Sequence, residues 1–216
     1  MYTTILFDLD GTLIDTEKYF KVFWRKAVAE LGYEMSEEQA LTLRSLGRPF
    51  APKLMKEWFG EEFDYVKARN LRRNMMQEHL QRVGLERKKG AGEALAKLKE
   101  MGFRLAVATA TPTDRAREQL KEAGLLQYFE DIVSAADVEN GKPAPDVYIR
   151  ACEILGEKPE NCLAVEDSPN GVLSAYRAGV PVVMIPDQTP CDAKSAAMIK
   201  ADLESLLALP HFLAEE

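Results

Sequence analysis

Cysteine and histidine are scarce: the 216 residues contain three cysteines, Cys152, Cys162 and Cys191, and two histidines, His79 and His211. The thiols are odd in number and show no Cys-x-x-Cys spacing, which excludes a disulfide framework or a zinc cluster as the organising device. Structural or incidental thiols are expected instead. The two histidines lie too far apart in sequence to build a metal site or a triad with those thiols, and His79 falls in a helical stretch. Long apolar runs are also missing. A segment such as 180–185 is far too short to span a bilayer, so no membrane association is expected. No repeat of fixed period and no low-complexity tract is visible. The opening Met1-Tyr2-Thr3-Thr4 leads straight into an apolar strand without the segments of a leader, so a cytoplasmic protein is expected. Finally, there is no basic excess: the net charge of -7 argues against a nucleic-acid binder, which needs a positive footprint.

What remains is a globular composition, 46% hydrophobic and 29% charged, long enough for one large domain or a domain with a modest insertion. Residues 5–7 read as a short buried strand. After Asp15 the period changes: Phe20, Phe23, Trp24, Ala27, Val28 and Leu31 follow the three-and-four spacing of one helical face, and Gly32 ends it. Ser36-Glu37-Glu38-Gln39 has the form of a capping box that opens another helix. Further helices are predicted over 52–59 and 62–83, with Gly84 as a stop. No strand is expected between 16 and 86, which reads as a helical bundle inserted after the first strand.

From residue 91 onward, predicted helices (91–101, 113–123, 146–155, 170–178) alternate with predicted strands (104–108, 132–134, 163–165, 181–185). Alternation of this kind implies an α/β fold, a Rossmann-like parallel sheet with helices on both faces. The domain organisation expected is a core of 1–15 and 87–216 and a helical cap of 16–86. Beyond Pro186 only Leu203, Leu206 and Leu207 stand out, suggesting a final helix on the sheet. Charge is divided along the same line. Residues 16–86 carry 13 Lys+Arg and 11 Asp+Glu, whereas the remainder carries 15 and 24. A basic lid over an acid-rich site would suit an anionic substrate bound with a metal cation, although Arg69, Arg72 and Arg73 read equally as solvated helix faces.

The chemistry gathers at the strand ends. Asp8-Leu9-Asp10-Gly11-Thr12 puts two carboxylates just past an apolar strand, with a glycine to permit the exit. Later strands lead to Thr109-Ala110-Thr111, to Gly141-Lys142-Pro143-Ala144-Pro145, and to Glu166-Asp167-Ser168. In an open parallel sheet these groups share one edge, where ligands bind. Taken alone, each has a plain structural explanation: a surface turn for Asp10-Gly11, a solvated loop lysine for Lys142, a helix-start pair for Glu166-Asp167. A serine or threonine after a strand is usually a helix cap, a role expected here of Thr113.

These motifs, in this order along the whole chain, resemble the haloacid dehalogenase superfamily, in particular its phosphatase and phosphomutase branch that includes β-phosphoglucomutase. The resemblance implies that Asp8 is a nucleophile and Asp10 a general acid/base. It further implies that Thr109 and Lys142 bind phosphate with the Ala110 amide, and that Asp8, the Asp10 carbonyl, Glu166 and Asp167 hold Mg²⁺. An acid at Asp10 separates the chain from dehalogenases and phosphonate hydrolases, which lack one there; the phosphonate enzymes use a cap lysine where this chain has Phe50. Family ATPases usually carry threonine in place of Asp10.

The expected activity is release of phosphate from a small phosphorylated metabolite, a sugar phosphate being the favoured class, by a monomer acting without nucleic acid or membrane. Trp24 and Arg48 match cap positions that touch substrate in β-phosphoglucomutase, Arg48 being where a second phosphate is gripped. Trp24 could equally be core, and Arg48 could pair with a cap acid. Phe20 stands where the mutase has a cap histidine, and the mutase's cap lysine has no counterpart near Gln77. These departures favour hydrolysis over isomerisation, with a noncatalytic binding role as the remaining alternative.

Overall fold

The protein is described by a computed structural model covering residues 2–215. Strand β1 (Thr4–Phe7) is the hub of a six-stranded parallel sheet. It is followed by four helices, α1 (Glu17–Ala29), α2 (Glu37–Thr42), α3 (Phe50–Phe59) and α4 (Tyr65–Val83), with no strand among the described residues of 16–86. The expected capping box forms at α2: the Gln39 amide donates to the Ser36 hydroxyl, and the Gln39 side chain accepts from the Ser36 amide. Trp24, Val28, Leu43, Met55 and Phe63 bury one another in a small core of these helices, each buried side chain contributing about 1.5–3 kcal/mol.

The chain then alternates through α5 (Ala91–Glu100), β2 (Arg104–Thr109), α6 (Thr113–Glu122), β3 (Asp131–Ser134), α7 (Asp146–Leu155), β4 (Cys162–Glu166), α8 (Pro169–Arg177) and β5 (Val182–Met184). The strand order is β3-β2-β1-β4-β5-β6. Because β1 lies between β2 and β4, Phe7 is level with Val107 and Val165, so the residues that follow these three strands emerge side by side. This is where the winding of the sheet reverses, the place at which α/β folds open a crevice. Two apolar clusters cover the sheet, one per face, which is why strands such as Cys162–Glu166 are apolar without alternation.

The two chain crossings between sheet and helical insertion run together. Ile14 bridges Arg87, the Asp15 amide donates to the Glu86 carbonyl at 2.8 Å, and Lys18 pairs with both Asp15 and Glu86. After Met184 the structure departs from expectation. The short helix α9 (Ala193–Ala196) and a sixth strand, β6 (Ala201–Asp202), precede the last helix, α10 (Leu209–Glu215). Leu203 therefore falls before that helix, while Leu206 and Leu207 lie in a 3₁₀ turn, Leu206–Ala208, that runs directly into it. Two residues are too few to display a strand's alternation, so β6 had no periodic signal. No helix is long and apolar enough to cross a membrane among the described residues.

Candidate active site

Asp8 is the first residue beyond β1, and its amide still donates to the Val165 carbonyl, so the strand carries the side chain to the sheet edge before turning. The turn depends on Gly11, whose φ is +88°; a Cβ there would collide with the Asp167 carboxylate and with Glu17. From the neighbouring strand, Glu166 ends β4 and Asp167 follows it. Lys142 reaches the same spot from the loop before α7, wholly buried, and donates to Asp8 Oδ1 (2.6 Å), Glu166 Oε1 (2.6 Å) and the Ala108 carbonyl (2.9 Å). A solvated loop lysine is thereby excluded.

The carboxylates are only half satisfied. Glu166 Oε1 also accepts from the Tyr148 hydroxyl at 2.6 Å, and Asp167 Oδ2 is paired with Arg44. One oxygen on each acid, namely Asp8 Oδ2, Glu166 Oε2 and Asp167 Oδ1, is buried without a hydrogen-bond partner among the described residues. Ligating atoms of the three lie within 4.8 Å of one another. Bare carboxylate oxygens buried this way are costly, and hard oxygen donors at such spacing are what Mg²⁺ takes. The residues present therefore fit a divalent cation. The Asp10 side chain stands apart from this cluster; it accepts from Thr16 (2.6 Å) and Thr111 (2.7 Å), one hydroxyl on each oxygen.

Electrostatics follow from burial. Desolvation pushes the Asp8 carboxyl up to about 7 against the pull of Lys142, and raises Asp167 well above its ordinary value despite Arg44. The ammonium of Lys142 is held upward by Asp8 and Glu166, although burial opposes it.

Two charged residues from the helical insertion complete the wall. Arg44, almost wholly buried, bonds Glu17 at 3.1 Å, Thr189 at 3.0 Å and the Asp167 carboxylate. The same loop locks to the core through its backbone: the Gly47 amide donates to the Lys142 carbonyl, and the Gly141 amide to the Arg48 carbonyl, both at 2.7 Å. Between insertion and core lies a cavity of about 290 Å³, whose lining includes Asp8, Asp10, Trp24, Arg48, Thr109 and Ala110. Of the candidate site residues, Asp8, Asp10, Trp24, Arg48, Thr109 and Ala110 line the cavity, and Lys142, Glu166 and Asp167 gather with Asp8 in the buried cluster beside it.

Trp24 is packed in the insertion's core and also forms part of the cavity wall. Arg48 is exposed and makes no ion pair among the described residues, so pairing with a cap acid is not its role. Gln77 lies outside this cavity. Thr113 does not cap α6: it is the helix's first residue, Pro112 occupies the cap position, and the Thr113 hydroxyl donates to Asp137 at 2.9 Å. Proline there places the helix start one residue earlier than the hydroxyl required. Thr109 instead accepts from the Thr111 amide at 3.0 Å, which shapes the loop after β2.

A profile of haloacid dehalogenase-like hydrolases matches residues 5–185. The chain belongs to that family. Among its relatives is the validoxylamine A 7'-phosphate phosphatase of Streptomyces hygroscopicus subsp. limoneus, 32% identical over 98% of each chain. The phosphorylated carbohydrates phosphatase of Thermotoga maritima is 34% identical over 82% of this chain and 81% of its own. Among solved structures, CbbY from Rhodobacter sphaeroides in complex with phosphate superposes with a TM-score of 0.77 at 26% identity, covering 97% of this chain and 96% of that one. Membership in the family agrees with the parallel sheet and with the motifs at its carboxyl edge.

Proposed function

We propose that this chain is a Mg²⁺-dependent phosphatase that hydrolyses a small phosphomonoester, with phosphorylated sugars as the substrate class, by way of a phosphorylated Asp8. The observation that carries the reading is the division of labour between adjacent acids. Asp8 shares with Glu166 and Asp167 a set of unpartnered oxygens, whereas Asp10 is held by two hydroxyls beside the cavity. Relatives named as phosphatases of phosphorylated carbohydrates support the same class. The proposal takes residues 16–86 as a cap over a core of 1–15 and 87–216, in a cytoplasmic monomer.

Asp8, Glu166 and Asp167, with the Asp10 carbonyl, would hold the cation; bound there, Mg²⁺ offsets negative charge on the phosphoryl oxygens and on Asp8. Lys142 supplies a fixed positive charge beside Asp8, and Thr109 and the Ala110 amide offer neutral donors to the phosphate. An Asp8 oxygen attacks phosphorus as the bond to the ester oxygen breaks, and Asp10 gives its proton to the departing alkoxide. Asp10 then accepts a proton from water while the water oxygen attacks the same phosphorus. Inorganic phosphate leaves, and the Asp8 carboxylate is restored.

Hydrolysis is favoured over isomerisation by Phe20, whose ring lies in the cavity wall beneath a guanidinium where the mutase resemblance would call for histidine. The test is phosphate release from a panel of sugar phosphates. Asp8→Asn should abolish it, Asp10→Asn should lower it by about 10²–10⁴-fold, and chelation should remove it reversibly. Independently of turnover, Mg²⁺ should raise the melting temperature of the unaltered protein and leave Asp167→Asn nearly unmoved. Undiminished phosphate release by Asp8→Asn would overturn the mechanism. Conversion of β-glucose 1-phosphate to glucose 6-phosphate, with a trace of the bisphosphate and without free phosphate, would establish the mutase instead.

A further inference from the structure

Arg44 carries the helical insertion into the carboxylate cluster. It sits in the loop after α2, is 2% exposed, and divides its donors among partners from separate parts of the chain. Its Nε donates at 3.1 Å to Glu17, the first residue of α1, and Nη1 donates at 3.0 Å to the Thr189 hydroxyl in the loop between β5 and α9. Its Nη2 donates to Asp167 Oδ2 and lies 3.4 Å from the Asp167 carbonyl.

A planar guanidinium held along three directions is fixed in orientation, and it fixes the carboxylate that it grips. With Oδ2 taken, the remaining acceptor on the Asp167 side chain is Oδ1, the oxygen that is buried without a hydrogen-bond partner among the described residues. Gly11 backs the same carboxylate so closely that a Cβ there would lie 2.3 Å from Oδ2. Asp167 is thus confined from both sides, and in this arrangement it brings a ligating oxygen within 4.8 Å of those of Asp8 and Glu166.

Backbone contacts deliver Arg44 to this place. Asn170, in the first turn of α8, donates to the carbonyls of Thr42 (3.3 Å) and Arg44 (2.8 Å). Directly after Arg44 the chain turns through Ser45, whose φ of +52° makes it the sole non-glycine in the left-handed region among the described residues. A residue with a Cβ takes that conformation at a cost that surrounding contacts must offset. On one side of Ser45 those contacts are the bonds of Arg44, and on the other the Gly47 amide donates to the Lys142 carbonyl at 2.7 Å. The strained residue lies between two attachments of the insertion to the core, one to Asp167 and one to the lysine beside Asp8.

We infer that Arg44 is a positioning residue for the cation site, holding Asp167 with Oδ1 turned toward the cation and tying cation affinity to the docking of residues 16–86 on the core, a role that rests on the cation site proposed above and on nothing about the substrate. Partners that orient a metal ligand from outside are worth about 10- to 100-fold in metal affinity. Such coupling is reciprocal: a cation that binds more tightly when the insertion is docked also holds the insertion docked. Charge and orientation predict opposite results for the loss of Arg44. A guanidinium repels a nearby dication, so charge alone gives tighter Mg²⁺ binding when Arg44 becomes neutral, whereas lost orientation gives weaker binding.

The dissociation constant of Mg²⁺, measured by calorimetry without substrate, separates the two. Arg44→Gln should weaken binding about 10- to 100-fold. Arg44→Lys should recover part of the loss, since an ammonium keeps a charged donor for Asp167 without the fork that also reaches Glu17 and Thr189. Thr189→Val removes one anchor of the guanidinium from outside the cluster and should weaken binding about 2- to 10-fold, which keeps the test open if Arg44→Gln does not fold. Docking is read by hydrogen exchange at the Gly47 amide, which Mg²⁺ should slow in the unaltered protein and leave nearly unchanged in Arg44→Gln.

Mg²⁺ bound as tightly or more tightly by Arg44→Gln, or by Thr189→Val where the first variant does not fold, overturns the positioning role and leaves the cation site standing. Equal slowing of Gly47 exchange by Mg²⁺ in both proteins overturns the coupling to docking. Failure of the unaltered protein to bind Mg²⁺ overturns the cation site itself, and the role of Arg44 with it.

Discussion

Gly47→Ala places a methyl group where two backbones meet. A Cβ at Gly47 would sit 2.6 Å from Gly141 Cα and 3.0 Å from its carbonyl carbon, and no flexible side chain is there to swing away. Restoring ordinary contact requires the loops to part by roughly an ångström. That movement strains both 2.7 Å hydrogen bonds of the clamp, Gly47 to Lys142 and Gly141 to Arg48. At about 0.5–1.5 kcal/mol each, losing both costs about 1–3 kcal/mol, or about 2–12 °C in Tm for a chain of this size.

The functional cost of Gly47→Ala should exceed that. Gly47 and Gly141 both border the cavity, and Lys142, next along the chain, is the residue that bonds Asp8. A misplacement of about 1 Å at a reacting centre is worth about 10²-fold. The expected result is a fall of about 10- to 100-fold in kcat/KM for phosphate release, with a modest drop in Tm. Gly141→Ala, whose Cβ would lie 2.8 Å from Gly47 Cα, should behave alike, and the double variant should be little worse than either single one. Gly92→Ala is the control: its Cβ would meet only the tip of the Arg87 side chain, in a helix where alanine is preferred. Unchanged melting and unchanged turnover in Gly47→Ala would refute the close apposition of these loops.

Two further outcomes concern the buried charges. Lys142→Met removes the sole ammonium from between Asp8 and Glu166, and leaving buried charge uncompensated costs about 3–5 kcal/mol, or about 6–20 °C in Tm; a metal-free melt within two or three degrees of the unaltered protein would refute it. Glu17 is 4% exposed, and burial pushes its carboxyl up to about 8 against the pull of Arg44. The folded chain therefore keeps a proton that the unfolded chain has already released above its ordinary value of 4.5, so stability falls as pH rises through that window, by up to about 1.4 kcal/mol per unit. Glu17→Gln should flatten the decline of Tm between pH 5.5 and 8, and an identical slope in the two proteins would show that Glu17 does not titrate there.

The parts of this site that were legible in the sequence are those attached to strand ends. Asp8, Thr109 and Glu166-Asp167 each close an apolar run, and a parallel sheet leaves such residues one place to go. Lys142 was legible only through its neighbours, since nothing about a lysine between glycine and proline states that it will be wholly buried. Glu17, Arg44 and Tyr148 were not legible at all. Each lies in or beside a helix with ordinary amphipathic spacing, where charge and hydroxyl normally face solvent. What buries Arg44 is the docking of the α2–α3 loop onto the start of α8, where Asn170 donates to the Arg44 carbonyl at 2.8 Å, a contact between segments more than a hundred residues apart. Thr16 and Thr111 flank recognised motifs, but their grip on Asp10 depends on side-chain direction, which spacing does not encode. The arginines of α4 had two readings of equal standing, a basic lid and solvated helix faces; Arg69, Arg72 and Arg73 all line the cavity, which spacing alone did not show.

Both signs of charge line the cavity, Asp8, Asp10, Glu17 and Asp114 with Arg48, Arg69, Arg72, Arg73 and Arg115, and burial sets how the acids beside it are balanced. At the sheet edge, the buried carboxylates of Asp8, Glu17, Glu166 and Asp167 face two buried cations, Lys142 and Arg44. Were all four acids ionised, two negative charges would stand unbalanced in a desolvated site. Burial answers by raising Asp8 to about 7 and Glu17 to about 8, so that protons take the place of the missing positive charge. A divalent cation among the three free oxygens would supply the same compensation while leaving Asp8 ionised, the state that the proposed attack on phosphorus requires.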